Sequence, residues 1–301
     1  MVPEGCLPEE RYLVGLVGTG IATSLSPALH EREADHVGLR YLYQVIELEH
    51  AAASAVALGS VVAAARRLGF RGLNVTHPFK RSVLPYLDEL APEAAAVGAV
   101  NTAVFEADRA VGYNTDVFGF AQSFVRGLPG AAVGSVVVLG AGGAGAAVTA
   151  AMLDLGAGQV VIVDPDADRA GELVRSACYR FGADRAAAGR PDGLPHHLAH
   201  ADGLINASPV GMTGHPGIPI DPELLEPHRW VADVVYRPLE TQLLAEARRR
   251  NCRRLHGGGM AVFQAAAAFE LFTGHKPNPE RMLDHLASLV ERSGDGSSVG
   301  A

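Results

Sequence analysis

The stretch SVVVLGAGGAGAAVTAAMLDLGAGQVVIVD, residues 135–164, narrows the possible folds more than any other part of the chain. A β-branched run leads into Gly140, Gly142, Gly143 and Gly145, then into an alanine-rich helix, then into a second β-branched run that ends at Asp164. Two short apolar runs joined through a helix form a βαβ unit, which commits the chain to an α/β fold with a parallel sheet. Glycines at the first turn let a helix N-terminus approach a pyrophosphate closely, and an acid about 20 residues further on can bind the adenosine ribose hydroxyls. A glycine turn that only packs two elements, or a mononucleotide or flavin site, is also compatible with these residues. The second strand and its terminal acid favour a dinucleotide.

The same segment bears on which nicotinamide cofactor fits. Asp164 is followed by Asp166 and Asp168, with Arg169 alone to offset them. A 2′-phosphate beside Asp164 would cost about 4 kcal/mol per unit charge pair at about 4 Å and an effective dielectric near 20. NAD is therefore expected over NADP. Arg169 lies a helical turn away and also reads as an ordinary surface charge.

The alternation of short apolar and longer amphipathic segments continues on both sides of this unit. Strands are expected at RYLVGLVGT, YLYQVIEL and RGLNVT, and helices at SPALHEREADHVGL and AAASAVALGSVVAAARRLG. TAVFEADRAVGYNT reads as a hairpin turning at Ala107 and Asp108, and it closes a first lobe near residue 115. Further strands follow at ADGLINAS, WVADVVY and RRLHGG. The expected organisation is a substrate domain over 1–115, a dinucleotide domain over 116–257, helices over 258–292 that return to the first lobe, and a mobile Gly/Ser-rich tail over 293–301.

Composition removes several classes of function. The 301 residues carry a formal charge of −8, which leaves no footprint for a nucleic-acid backbone, and the basic run ARRRNCRR sits among helix formers. Cys6, Cys178 and Cys252 are too few and too far apart for a disulfide framework or a metal knuckle, so a reducing cytoplasm is expected. His196, His197 and His200 lack a third ligand pattern, and no metal is expected. The acidic N-terminus does not read as a secretory signal. The charge-free stretch from Gly127 to Leu153 is crowded with glycine and reads as strand, turn and buried helix, so no membrane partner is expected.

Polar islands interrupt the apolar pattern near strand ends, where α/β proteins carry their sites. TSLSP sets Ser24 and Ser26 just before a helix, where their hydroxyls either cap it or help to hold a carboxylate. NVTHPFK offers Asn74, Thr76 and Lys80 around a proline that stops a strand, VGAVNTAV offers Asn101, and GYNTDVFG offers Asn114, Thr115 and Asp116. Together with a dinucleotide fold they indicate a pocket for a small hydroxylated acid. Trp230 reads as core.

SLSP, NVTHPFK, GAVNT, GYNTDVFGF, LGAGGAG, NASPVGM, DVVYRPLETQLL and GGGMAVFQAAAAFELFTG, in that order from about residue 15 to 275, resemble the shikimate/quinate dehydrogenase family. The resemblance implies an α/β substrate domain and a Rossmann NAD(P) domain, in a monomer or homodimer. It implies reversible oxidation of a ring hydroxyl of shikimate or quinate by hydride transfer to the nicotinamide. Carried over residue by residue, Lys80 and Asp116 form the catalytic pair, Ser24 and Ser26 bind the substrate carboxylate with Tyr236 nearby, and Thr76, Asn101 and Gln264 surround the ring hydroxyls. Gly140, Ala141, Gly142, Gly143, Ala144, Gly145, Asp164, Arg169, Ser208, Val210, Met212, Val235, Gly257 and Met260 line the cofactor. The cofactor supplies no base, so a side chain must take the hydroxyl proton as hydride leaves. An ammonium beside a carboxylate is a reluctant base, and Lys80 is expected to orient the hydroxyl and stabilise the developing alkoxide as much as to move its proton.

One departure matters. Members that use NADP carry Asn-Arg-Thr where this chain has Asp164, Pro165 and Asp166, so a proline replaces the arginine that clamps a 2′-phosphate. The departure agrees with the charge argument for NAD. Quinate catabolism, aromatic amino acid biosynthesis, an aminoshikimate substrate and a non-catalytic sensor of quinate or shikimate on the same fold all stay open at this level.

Overall fold

The computed structural model describes residues 10–48, 54–106 and 109–292. The expected turn at Ala107 and Asp108, Cys6 and the tail 293–301 lie outside the described residues. The chain divides into two compact units, Met1–Thr115 with Ala265–His285, and Asp116–Gln264 with Leu286–Ala301.

In the first unit the order is β1 (Arg11–Gly18), α1 (Ser26–Val37), β2 (Arg40–Glu47), α2 (Ser54–Arg67), β3 (Gly72–Val75), β4 (Glu89–Leu90), α3 (Pro92–Val97), β5 (Thr102–Glu106) and β6 (Arg109–Tyr113). The sheet order is β2-β1-β3-β5-β6-β4. Strands β1, β2 and β3 are parallel, and β5 runs against both β3 and β6. All four residues of β3 are buried, because it is hydrogen-bonded on both edges and covered on both faces. Leu58 and Val62 of α2 pack with Val17, Leu73, Val75 and Phe79. Val14, Leu16, Tyr43 and Val104 pack with Ala268 and Phe272.

Those last two residues belong to α9 (Gly258–Thr273), which precedes α10 (Pro279–Arg292). Arg71 Nε donates to the Phe272 carbonyl at 2.9 Å. Glu33 of α1 is buried, and its carboxylate accepts from Arg281 Nε at 2.9 Å and from the Asn278 main chain at 2.7 Å. A carboxylate is tolerated there because its lone pairs are met by charged and main-chain donors.

The second unit contains α4 (Thr115–Gly127, which starts at the boundary), β7 (Ser135–Leu139), α5 (Gly143–Asp154), β8 (Gln159–Val163), α6 (Ala167–Phe181), β9 (Ala186–Gly189), α7 (Leu194–Ala199), β10 (Gly203–Asn206), β11 (Trp230–Asp233), α8 (Gln242–Arg249) and β12 (Arg253–Leu255). Its sheet is parallel throughout in the order β12-β11-β10-β7-β8-β9. The order reverses direction between β7 and β10, which opens a crevice at the carboxyl ends of those two strands. Trp230 is buried, as its sequence context indicates, and its indole N–H donates to the Ala132 carbonyl at 2.7 Å. Two strands escape a reading of side-chain pattern. β9 is AAAG and β4 has two residues, and both exist because a neighbouring strand offers its main chain rather than because of β propensity. Among the described residues no helix is long and apolar enough to cross a membrane.

Candidate active site

In the first unit, strand direction gathers most of the polar islands at one edge of the sheet. β1 and β3 both end there, with Val17 opposite Val75. β5 runs the other way, so its first residue, Thr102, arrives opposite Asn74, and Tyr113 at the end of β6 pairs with Thr102. The segments that open at this edge therefore carry Ser24 and Ser26, Thr76 to Lys80, Asn101, and Asn114 with Thr115.

Main-chain bonds hold these segments in place. Thr76 N donates to the Val17 carbonyl and Thr19 N to the His77 carbonyl, each at 3.0 Å. The loop after β1 is clasped from β2 by Glu47, whose carboxylate accepts from the main-chain N–H groups of Gly20 and Ile21. Leu25, and neither serine, is the N-cap of α1, and it makes no side-chain cap bond. The Ser24 hydroxyl instead sits 3.3 Å from both the Ser26 amide and the Ser26 hydroxyl. The two hydroxyls thus lie together at a helix N-terminus, with the Ser24 hydroxyl accepting from the first amide of α1. Lys80 follows Phe79, which is buried in the core, and its carbonyl accepts from Val100 N at 2.8 Å, directly before Asn101.

Asn101 is oriented by a buried network. Its Oδ1 accepts from Thr115 N at 2.8 Å and lies 3.1 Å from the Thr102 hydroxyl, while its Nδ2 donates to Thr115 Oγ1 at 2.9 Å. Asn74 Nδ2 donates to Thr102 Oγ1 at 3.0 Å, and Asn74 Oδ1 accepts from the Tyr43 hydroxyl at 2.7 Å. Both ends of the Asn101 side chain are thus engaged by the protein, which fixes its orientation at this edge of the sheet.

In the second unit three of the four glycines of the loop have three different reasons. Gly140 has φ +100°, and a Cβ there would also lie 2.8 Å from the Ala207 carbonyl. At Gly145 a Cβ would strike the carbonyl of Gly140, so glycine permits the close approach of α5 to its strand. Gly142, the N-cap of α5, has φ −76°, and a Cβ there would meet nothing within 4 Å. The fold makes no demand for glycine at 142. A dinucleotide does, because its pyrophosphate must come up to the helix N-terminus, and the loop fits that group.

Asp164, beyond the end of β8, faces this loop. Its Oδ2 accepts from Ala141 N at 2.7 Å and its Oδ1 from Asp166 N at 2.8 Å. Arg169 pairs with the next acid, Asp166. Its Nε lies 3.1 Å from Asp166 Oδ2, while Asp166 caps α6 by accepting from the amides of Asp168 and Arg169. Arg169 and Asp166 form an exposed i,i+3 pair of the ordinary helix-surface kind.

Asp116 lies in the first turn of α4 and is buried. One turn on, Gly119 brings α4 against α9, where a Cβ would lie 2.8 Å from Gln264 N and the Met260 carbonyl. This close packing brings the α4 turn next to Asp116 alongside Met260 and Gln264. The Gln264 amide donates back to the Ala261 carbonyl at 2.9 Å. Gly257 is buried against the main chain of Val234 and Val235. Val235 is buried, Tyr236, Ser208 and Val210 are partly buried, and Met212 is 40% exposed.

The site also contains residues that a reading of the sequence passes over. Asn206, Asp233 and Thr241 lie within NASPVGM and DVVYRPLETQLL, and all three are buried and joined by hydrogen bonds. The available signal was a polar or charged residue ending an apolar strand, at Asn206 and Asp233.

Comparison with known proteins is consistent along the chain. A family model described as the shikimate dehydrogenase substrate binding domain matches residues 16–103, and one described as the shikimate 5'-dehydrogenase C-terminal domain matches residues 257–286. A relative from Streptomyces avermitilis named shikimate dehydrogenase (NADP(+)) is 58% identical, over 94% of this chain and 98% of that protein. One from Corynebacterium efficiens named quinate/shikimate dehydrogenase (NAD(+)) is 45% identical, over 93% of this chain and 99% of that protein. A solved quinate dehydrogenase from Corynebacterium glutamicum in complex with NAD superposes with a TM-score of 0.87 at 42% identity, covering 93% of this chain and 99% of that one.

Proposed function

The chain belongs to the shikimate dehydrogenase family, nicotinamide-dependent oxidoreductases of the alcohol dehydrogenase type, and from that premise we propose that it oxidises the ring hydroxyl of shikimate, quinate or both to the 3-dehydro ketone with NAD as the preferred cofactor. The observation that carries the cofactor assignment is Asp164. Its carboxylate is hydrogen-bonded to the glycine loop, and it is followed by Pro165 and Asp166 in place of an arginine clamp. A 2′-phosphate brought to this end of β8 would meet Asp164, and Arg169 is already paired with Asp166. Relatives named for NADP(+) and for NAD(+) are both similar over nearly the whole chain, so the reading rests on these residues rather than on overall identity.

In this reading the first unit binds the substrate and the second the cofactor, in a cytoplasmic monomer or homodimer. Ser24 and Ser26 hold the substrate carboxylate at the N-terminus of α1, with Tyr236 assisting. Thr76, Asn101 and Gln264 hold the ring hydroxyls. Gly140 to Gly145 cradle the pyrophosphate, and Ser208, Val210, Met212, Val235, Gly257 and Met260 line the rest of the cofactor. When bound, the nicotinamide takes up the hydride. Lys80 and Asp116 act on the hydroxyl being oxidised, the ammonium holding its oxygen as negative charge develops and the pair carrying away its proton.

Steady-state kinetics with shikimate, quinate and aminoshikimate, each with NAD and NADP, test the proposal. NADH formation with shikimate or quinate, at higher kcat/KM than NADPH formation, is expected. A folded protein that reduces neither cofactor with any of the three acids would overturn the assignment, and a higher kcat/KM with NADP would overturn the cofactor preference.

A further inference from the structure

Asp233, the last residue of β11, is a buried acid that the proposed chemistry does not use. Its Oδ1 accepts from Asn206 Nδ2 and from Val235 N, each at 3.0 Å, and its Oδ2 accepts from the Thr241 hydroxyl at 2.7 Å. Asn206, the last residue of β10, passes the connection on. Its Nδ2 also donates to the Val210 carbonyl at 2.9 Å, and its Oδ1 accepts from the Ser208 amide at 3.1 Å and the Ser208 hydroxyl at 2.7 Å. Thr241 is the N-cap of α8 and accepts from Leu244 N. One carboxylate therefore sets the path of the loop after β10, the path of the loop after β11, and the start of the helix that follows.

The position of this knot in the sheet gives it a function. The glycine loop and Asp164 occupy the carboxyl ends of β7 and β8, on one side of the strand-order reversal, and suit the adenosine half of a dinucleotide. The other mononucleotide half must then lie at the carboxyl ends of β10 and β11, on the far side of the reversal. We propose that Asp233 is a positioning residue for the nicotinamide half of the cofactor, acting through Asn206 and Thr241 to hold the Ser208–Val210 and Val235–Tyr236 main chain where that half binds. This inference rests on the cofactor reading above.

A carboxylate suits this position because it accepts hydrogen bonds only, and three donors converge on it. An asparagine of the same shape would present an amide N–H to at least one of them. The group is held at a cost. Burial pushes the Asp233 carboxyl up to about 7, against the lowering effect of Thr241, Val235 and Asn206.

The test separates the nicotinamide ring from the rest of the ligand. Affinities of the full-length protein for NADH and for ADP-ribose, which lacks the nicotinamide ring, are measured for wild type and Asp233→Asn. The variant is expected to lose tenfold or more in affinity for NADH and less than twofold for ADP-ribose. Thr241→Val, with Thr241→Ser as the conservative rescue, reads the same link should Asp233→Asn fail to fold. It is expected to weaken NADH alone by threefold or more, with serine restoring it. Equal losses for both ligands, or no loss for NADH, overturn the positioning role and leave the cofactor reading intact. A wild-type protein that binds neither ligand overturns that reading and the inference with it.

Discussion

Asp164 accepts the main-chain hydrogen of Ala141 at 2.7 Å, so the acid beyond one strand braces the glycine loop that follows its neighbour. On the proposed cofactor reading, the carboxylate that would repel a 2′-phosphate also holds the loop that would receive the pyrophosphate. Charge and shape are thus coupled at a single residue, and substitution there changes both.

Asp164→Ala is accordingly expected to lower kcat/KM for NAD by about tenfold, through the lost brace and the lost ribose acceptor, while the value for NADP rises because the repulsion relieved, about 4 kcal/mol per charge pair, exceeds the roughly 1.4 kcal/mol of that tenfold loss. Steady-state kinetics with both cofactors check this. An unchanged ratio of the two efficiencies would contradict the role given to Asp164.

Lys80→Ala is expected to lower kcat by about a hundredfold or more with little change in cofactor affinity, since positioned acid–base and charge-stabilising groups contribute about that much. Turnover together with the NADH dissociation constant measures it. Near-normal kcat in a folded variant removes Lys80 from the chemistry.

Two glycines in one loop should respond in opposite ways. At Gly142 an added Cβ meets no protein atom, so Gly142→Ala is expected to melt within about 2 °C of wild type, alanine being about 0.5–1 kcal/mol worse than glycine at an N-cap, yet to bind cofactor about tenfold more weakly. At Gly145 the Cβ would collide with the Gly140 carbonyl, and overpacking of this kind costs about 1–3 kcal/mol. Gly145→Ala should therefore melt several degrees lower before any ligand is added. Thermal melts with and without NADH distinguish the two cases, and a Gly142→Ala protein with full affinity would refute the pyrophosphate assignment.

His30 supplies a dependence on acid. The imidazole is fully buried among Tyr41, Tyr43, Phe269 and Phe272, and its Nδ1 lies 3.1 Å from the Tyr41 hydroxyl. Burial lowers its pKa from 6.5 to about 3. In the window between these values the unfolded chain binds the proton and the folded one does not. Stability from this group is therefore complete above about pH 6.5 and is lost as pH falls towards 3, by up to about 1.4 kcal/mol per pH unit. In His30→Phe the fall in stability between pH 6.5 and pH 4 should be shallower than in wild type, as followed by urea unfolding. Identical slopes would show that His30 is not the source.

Local chemistry explains what could be read without coordinates. The glycine loop, its helix and Asp164 are neighbours along the chain, within a span of 30 residues, and their geometry follows from φ freedom, helix periodicity and the absence of Cβ atoms. The strands β1, β3, β7 and β8 are legible because burial on both faces demands apolar runs, whereas the edge strand β2 is legible from its β-branched and aromatic residues. Arg169 shows where such reading weakens: its charge is plain in the sequence, but its pairing with Asp166 depends on how α6 is capped.

The amino-acid sequence by itself determined the α/β class, the dinucleotide loop and the polar residues available for chemistry, since each of these rests on contacts within a turn or an element. Only the tertiary structure decided which of those residues meet. Asn74, Asn101 and Thr115 converge because β5 runs against β3 and β6, and Asn206, Asp233 and Thr241 converge because β10 and β11 lie side by side at the far side of the strand reversal. Strand order and register are set by burial summed over a whole sheet, and no local run of residues carries that information.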